Sequence, residues 1–172
     1  MIIKQLIDED FVNYKKPSMF IGFPSCTFKC EKECGEHCCQ NNALAQAQNI
    51  EISTHKIVYR YLSNPITSAV VCGGMEPFDS FSDLLNLVET LRAYTMDDIV
   101  IYTGYVKEEL ENGFYYIGNY SSITRKDAYD YLTSFPNIII KFGRFIPNQQ
   151  PHFDPTLGVT LASDNQYAER IS

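Results

Sequence analysis

Five of the six cysteines fall within residues 26–39, in the run Cys26-Thr-Phe-Lys-Cys30-Glu-Lys-Glu-Cys34-Gly-Glu-His-Cys38-Cys39-Gln-Asn41. Thiolates are soft ligands, and so many this close together exceed what packing requires; they select zinc or an iron–sulfur cluster. Zinc prefers two Cys-x2-Cys or Cys-x2-His pairs, whereas this run offers one, Cys34-x2-His37, with no second knuckle downstream. The sixth cysteine, Cys72, ends an apolar run and reads as a small buried hydrophobe.

Other residues with chemical potential stand apart from that run. Gly73-Gly-Met-Glu76-Pro77 closes an apolar stretch. A lone Gly-Gly makes a turn, but after a buried strand it also lets backbone approach a ligand closely. Arg144 is suited either to a ligand carboxylate or to an acidic neighbour. His37, His55 and His152 are scattered and read as solvated, and Glu108, Glu109 and Glu111 read as a charged helix face.

The elements that must carry these residues alternate. Residues 19–23, 66–72, 99–103 and 137–142 are short apolar runs rich in Ile, Val and aromatics, as strands buried on both faces require. Between them, Phe81, Leu84, Leu85, Val88 and Leu91 share one helical stripe that Ser80 and Asp83 are placed to cap. A helix over residues 54–62 is predicted from Ile57, Val58, Tyr61 and Leu62, and Asn64-Pro65 stops it. A third begins at the capping pair Thr124 and Asp127, carries Ala128, Tyr131, Leu132 and Phe135, and ends at Pro136. Residues 113–122 read as a loop or hairpin. This order predicts an α/β protein with a parallel sheet, ligands gathering at the carboxyl ends of the strands, and too few strands for a closed eight-fold barrel.

The chain has 172 residues, 45% of them hydrophobic, with 11 Phe and 12 Tyr, enough for the core of one domain spanning residues 1–172. The net charge of −7 and the scattered Lys and Arg oppose nucleic-acid binding. The first ten residues are broken by Lys4, Asp8, Glu9 and Asp10, unlike a signal peptide, and no apolar run reaches the roughly 18 residues of a membrane span. A cytoplasmic protein with reduced thiols is expected.

Cys26-x3-Cys30 forms the first half of C-x3-C-x2-C, the radical S-adenosylmethionine motif. Further segments agree in order: Asp10-Phe-Val-Asn13 before the first strand, Cys39-Gln-Asn41, Gly73-Gly-Met-Glu76-Pro77, Ile101-Tyr102-Thr-Gly-Tyr105, Gly143-Arg-Phe145 and Leu161-Ala-Ser-Asp-Asn-Gln166. Over residues 10–166 the chain thus resembles the activating protein of anaerobic ribonucleotide reductase, of the glycyl-radical-enzyme activating family.

That resemblance implies an incomplete parallel (β/α) barrel of the radical SAM type, with a cluster loop at about residues 24–41. It implies a 4Fe-4S cluster held by Cys26, Cys30 and Cys39, and S-adenosylmethionine contacted by Gly73, Gly74, Glu76 and Tyr102. The chemistry implied is reductive cleavage of that cofactor to a 5'-deoxyadenosyl radical, with no side-chain catalyst. The implied partners are a large glycyl-radical reductase subunit as protein substrate and a small electron-donor protein, with neither nucleic acid nor membrane. The alternatives are a radical enzyme acting on another peptide or small molecule, and a non-enzymatic zinc-binding module.

The chain departs from that pattern in two places. Eight residues separate Cys30 from Cys39 where the family has two, which leaves Cys34 as a rival third ligand, and Cys38 stands where the family has an aromatic residue. Lengthening such a loop about threefold adds only ~1 kcal/mol of closure entropy. Met75 displaces Glu76 by one residue from the glycines, a shift that a bulge would absorb.

Overall fold

The computed structural model describes residues 1–110, 112–117 and 121–172. The elements run β1 (Ile2–Ile3), β2 (Gln5–Asp10), β3 (Ser18–Phe23), α1 (Lys29–Cys34), α2 (Asn42–Gln46), β4 (Ile50–Glu51), α3 (Thr54–Leu62) and β5 (Ala69–Gly74). After a 3-10 turn at Pro77–Ser80 come α4 (Phe81–Arg92), β6 (Asp98–Tyr102), α5 (Lys107–Leu110), β7 (Phe114–Ile117), β8 (Ser121–Thr124), α6 (Arg125–Thr133), β9 (Ile138–Phe142), β10 (His152–Asp154), β11 (Val159–Leu161) and β12 (Tyr167–Arg170).

Six strands form the central sheet in the order β12-β9-β6-β5-β3-β2. The inner four, β3, β5, β6 and β9, are parallel and correspond to the four apolar runs. The sheet is mixed, however, because β2 and β12 add antiparallel at its two edges. Both edge strands are mostly half-exposed, so neither carries the continuous apolar signature of the centre. Among the described residues the two edges do not meet, and the sheet stays open.

Alternate strand residues sort onto two faces. On one, Ile21, Val70, Cys72, Ile99, Ile101, Ile138 and Ile140 pack against α3, α4 and α6. Helix α4 buries Phe81, Leu84, Leu87, Val88 and Leu91; each such side chain is worth about 1.5–3 kcal/mol of transfer free energy. On the other face, Ala69, Val71, Val100 and Ile139 pack under Tyr14, Leu157 and Leu161. That second core ends one row short of the strand tips. The next row, containing Gly73, Tyr102 and Lys141, lines a cavity.

Local rules explain most helix boundaries. Helix α3 spans the expected residues, with Ser53 as N-cap accepting from Lys56 N. Helix α6 opens with a complete Thr124–Asp127 capping box. Three expectations need correction. Ser80 makes no side-chain cap bond, because α4 is entered from the 3-10 turn, whose own N-cap is Glu76. Leu62, at the end of α3, is exposed, and on α4 it is Leu87 rather than Leu85 that is fully buried. The hairpin alternative for residues 113–122 is met by the antiparallel pairing of β7 with β8, while Glu111 and residues 118–120 lie outside the described residues. Among the described residues no helix is long and apolar enough to cross a membrane.

Candidate metal and cofactor site

The cysteine run leaves the carboxyl end of β3 and folds into a short helix. Phe28 takes a left-handed conformation (φ 52°) before α1, and Gly35 (φ 75°) ends α1 with its N–H on the Glu31 carbonyl. The extra residues between Cys30 and Cys39 thus form α1 and its return. That return brings Cys39 back to the sheet, where Asn41 Nδ2 donates to the Gly74 carbonyl.

Cys26, Cys30 and Cys39 line one cavity of about 360 Å3, shared with Gly73, Gly74, Glu76 and Tyr102. Cys34 and Cys38 are not among its lining residues. Their sulfurs lie 2.8 Å from each other, Cys34 Sγ lies within reach of the Glu31 and Glu36 carbonyls, and the Cys38 side chain also bonds that of Cys30, which does line the cavity. Cys72 is fully buried in the helix-covered core. Burial pushes the Cys26 thiol up to about 12 and raises that of Cys30, so metal binding must displace protons here.

The donor set fits a cluster. Three thiols line one space, and soft thiolates gathered in this way are the ligands of iron–sulfur clusters. A structural zinc ion needs four ligands within about 2.3 Å.

The glycines are required by the protein's own packing, because the space that a Cβ would take is already filled. A Cβ on Gly73 would sit 3.1 Å from the Phe20 ring and 3.5 Å from Tyr102 Cβ. Gly74 has φ 80°, and a Cβ there would meet Gly22 Cα at 2.7 Å. The β3–β5 ladder stays in register through Phe23 and Gly74, so the extra Met75 is absorbed by this left-handed turn and not by a bulge.

Glu76 is buried on the cavity wall, where its carboxylate accepts from Phe78 N (3.1 Å), Thr103 Oγ1 (2.8 Å) and Gly104 N (2.8 Å). Burial raises its pKa to about 7 against these three bonds, which favour the charged form. The Gly-Gly-Met-Glu and Tyr-Thr-Gly-Tyr segments are therefore locked together through one carboxylate. Tyr102 lines the cavity and donates its hydroxyl to the Asn13 carbonyl.

A second pair of segments is joined similarly. Gln166 Oε1 accepts from Ala162 N and Ser163 N while Nε2 donates to the Gly143 carbonyl, and Asn165 Nδ2 donates to the Arg144 carbonyl.

Arg144 pairs with acids in this structure. Its Nη2 reaches both Glu109 oxygens at 2.7 and 2.6 Å, and Nε lies 3.3 Å from Glu33 on α1. Lys29 of α1 bonds the same Glu109. Glu109 is thus the hub of a clasp on the cysteine helix rather than part of a solvated face, and these cations hold its carboxyl below the usual range despite the opposing effect of burial.

Thr103, Gly104, Lys141, Arg144 and Gln166 also line the cavity and were not expected there. Thr103, Gly104, Arg144 and Gln166 lay inside the resembling segments, which was the available signal; Lys141 had none.

Residues 18–150 match the family described as a 4Fe-4S single cluster domain, and the chain belongs to that family. It is an iron–sulfur protein. No curated protein and no solved structure matched the chain.

Proposed function

We propose that Cys26, Cys30 and Cys39 hold a 4Fe-4S cluster with one open iron, and that the chain is a radical S-adenosylmethionine enzyme on an incomplete (β/α) barrel. The observation that carries this reading is that these three cysteines and the Gly73-Gly-Met-Glu76 strand end line one cavity at the carboxyl ends of parallel strands. Bound together, cluster and cofactor supply one-electron reductive cleavage to methionine and a 5'-deoxyadenosyl radical.

The protein's part is binding and positioning. Gly73 and Gly74 present backbone on the cavity wall, and Glu76, held by three donors, keeps a lone-pair direction for the amino group. Tyr102, fixed by Asn13, forms the floor. Met75, Phe20 and Phe145 give the cavity its apolar wall, which limits water around a reactive intermediate.

The partner we propose is the large glycyl-radical subunit of an anaerobic ribonucleotide reductase, with a small protein as electron donor. Val12 of the cavity lining is exposed, as are Phe11 beside it, Ile146 beside the lining residue Phe145, and Phe153, the register partner of the lining residue Thr160; these apolar side chains suit a protein substrate. Anaerobically reconstituted, reduced protein given S-adenosylmethionine should release 5'-deoxyadenosine and methionine in equal amounts. A cluster-loaded protein that releases neither would contradict the reading.

A further inference from the structure

Strand β11 pairs with β10 alone, in the register His152↔Leu161, Phe153↔Thr160 and Asp154↔Val159. Antiparallel partners alternate between pairs that exchange two hydrogen bonds and pairs that exchange none. Pro155 fixes which is which, because a proline has no N–H to give to the Gly158 carbonyl, the bond that the opposite alternation would need. Asp154 with Val159 and His152 with Leu161 are therefore the bonded pairs, and the N–H and C=O of Thr160 both point away from β10. Among the described residues neither group has a hydrogen-bond partner. This free edge faces the cavity: Val159, Thr160, Leu161 and Ala162 line it consecutively, whereas a strand that turned one face to it would contribute alternate residues. The side chains of Val159 and Leu161 pack into the second core instead, and Thr160 is exposed opposite Phe153, itself 62% exposed.

A donor and an acceptor on one residue, turned the same way at a strand edge, are the complement of one residue of an extended chain. We infer that Thr160 is a backbone docking point for the protein substrate: one residue of an extended segment gives its N–H to the Thr160 carbonyl and accepts from the Thr160 N–H, adding a third strand beside β11 and laying the segment over the cavity that the cysteines line. This rests on the reading of the partner as a protein and adds how that partner is held. Recognition through the main chain suits a segment around a glycine, which offers no side chain to grip. Phe153 stands on the same face as Thr160 and gives a neighbouring side chain of the segment an apolar contact.

The test is a binding titration of a synthetic peptide, spanning the radical-bearing glycine of the reductase subunit proposed above, on anaerobically reconstituted protein with S-adenosylmethionine present. Thr160→Pro deletes the N–H at an edge position of the kind where proline is tolerated, and it should weaken peptide binding at least about 5-fold. Thr160→Ala keeps both backbone groups and should bind the peptide as the wild type does. In a series of peptides N-methylated at one residue each, a single residue should carry a comparable loss on the wild type, marking the N–H that Thr160 accepts. Unchanged peptide binding in Thr160→Pro overturns the inference, as does an equal loss in Thr160→Ala, which would move recognition to the side chain. Weakened S-adenosylmethionine binding in Thr160→Pro also overturns it, by giving the edge to the cofactor. Where Thr160→Pro does not fold, the methylated series decides, and a series with no sensitive residue overturns the inference. A wild type that cleaves S-adenosylmethionine but does not bind the unmodified peptide removes the proposed partner, and the inference with it.

Discussion

The side-chain amide of Asn41 donates to the carbonyl of Gly74, 33 residues away, and so ties the return of the cysteine loop to the glycine strand end. This one bond links the residue two places after Cys39 to the turn that carries Glu76, and it sets where Cys39 meets the cavity. Asn41→Ala removes it at a cost of about 0.5–1.5 kcal/mol, or roughly 1–6 °C in Tm for a chain of this size. The variant should also lose cluster faster on dilution into chelator, read by the decay of visible absorbance. An unchanged decay would mean that the loop is held elsewhere.

The ligand set is tested by cysteine replacement. Cys26→Ala, Cys30→Ala and Cys39→Ala should each abolish cluster absorbance, because all three line the cavity. Cys34→Ala should spare it, because Cys34 is not among the residues that line the cavity and its sulfur lies 2.8 Å from that of Cys38. Cys72→Ala should also spare it and cost only packing, because that thiol is wholly inside the core. Loss of the cluster in Cys34→Ala with retention in Cys39→Ala would exchange the third ligand.

Two left-handed glycines separate strain from crowding. Gly35→Ala meets nothing within 4 Å, so only the backbone conformation is penalised, about 1–2 kcal/mol. Gly74→Ala adds a Cβ 2.7 Å from Gly22 Cα and 2.8 Å from Leu44 Cδ2, which forces β3 and β5 apart. Denaturant titration should rank Gly74→Ala well below Gly35→Ala, and only the former should lose the cluster. Equal losses would mean that the turn at Gly74 relaxes freely.

Four parallel strands and three helices were legible because each follows one local rule: continuous apolar runs for β3, β5, β6 and β9, and 3.6-residue stripes with caps for α3, α4 and α6. Strands β2 and β12 were not, since half-exposed edges alternate weakly and their pairing depends on partners far along the chain. The site divides along the same line. Its cysteines and glycines stand out by density and spacing. The Glu109–Arg144 pair joins residues 35 apart, and Lys141 is one polar residue in an apolar strand; only the topology shows that they face the cysteine helix and the cavity.

The raised pKa of Glu76 has a thermodynamic consequence. Its folded value of about 7 exceeds the ordinary 4.5 because of burial, so between those pH values the folded protein binds more protons than the unfolded chain. Stability therefore falls as pH rises from about 4.5 to 7, by on the order of 3 kcal/mol from this group. Glu76→Gln, which does not titrate, should flatten that decline in chemical denaturation measured at pH 5 and pH 8. An identical slope in both proteins would show that another group controls it.

The most direct measurement is the electron paramagnetic resonance spectrum of the dithionite-reduced, reconstituted protein with and without S-adenosylmethionine. A cluster held by Cys26, Cys30 and Cys39 leaves one iron without a protein ligand, so addition of the cofactor should shift the g-values, and Glu76→Ala should require a higher concentration for the same shift. A reduced 4Fe-4S signal that saturating S-adenosylmethionine leaves unchanged would mean that no iron is open to the cofactor, and would contradict the assignment of this cavity to radical chemistry.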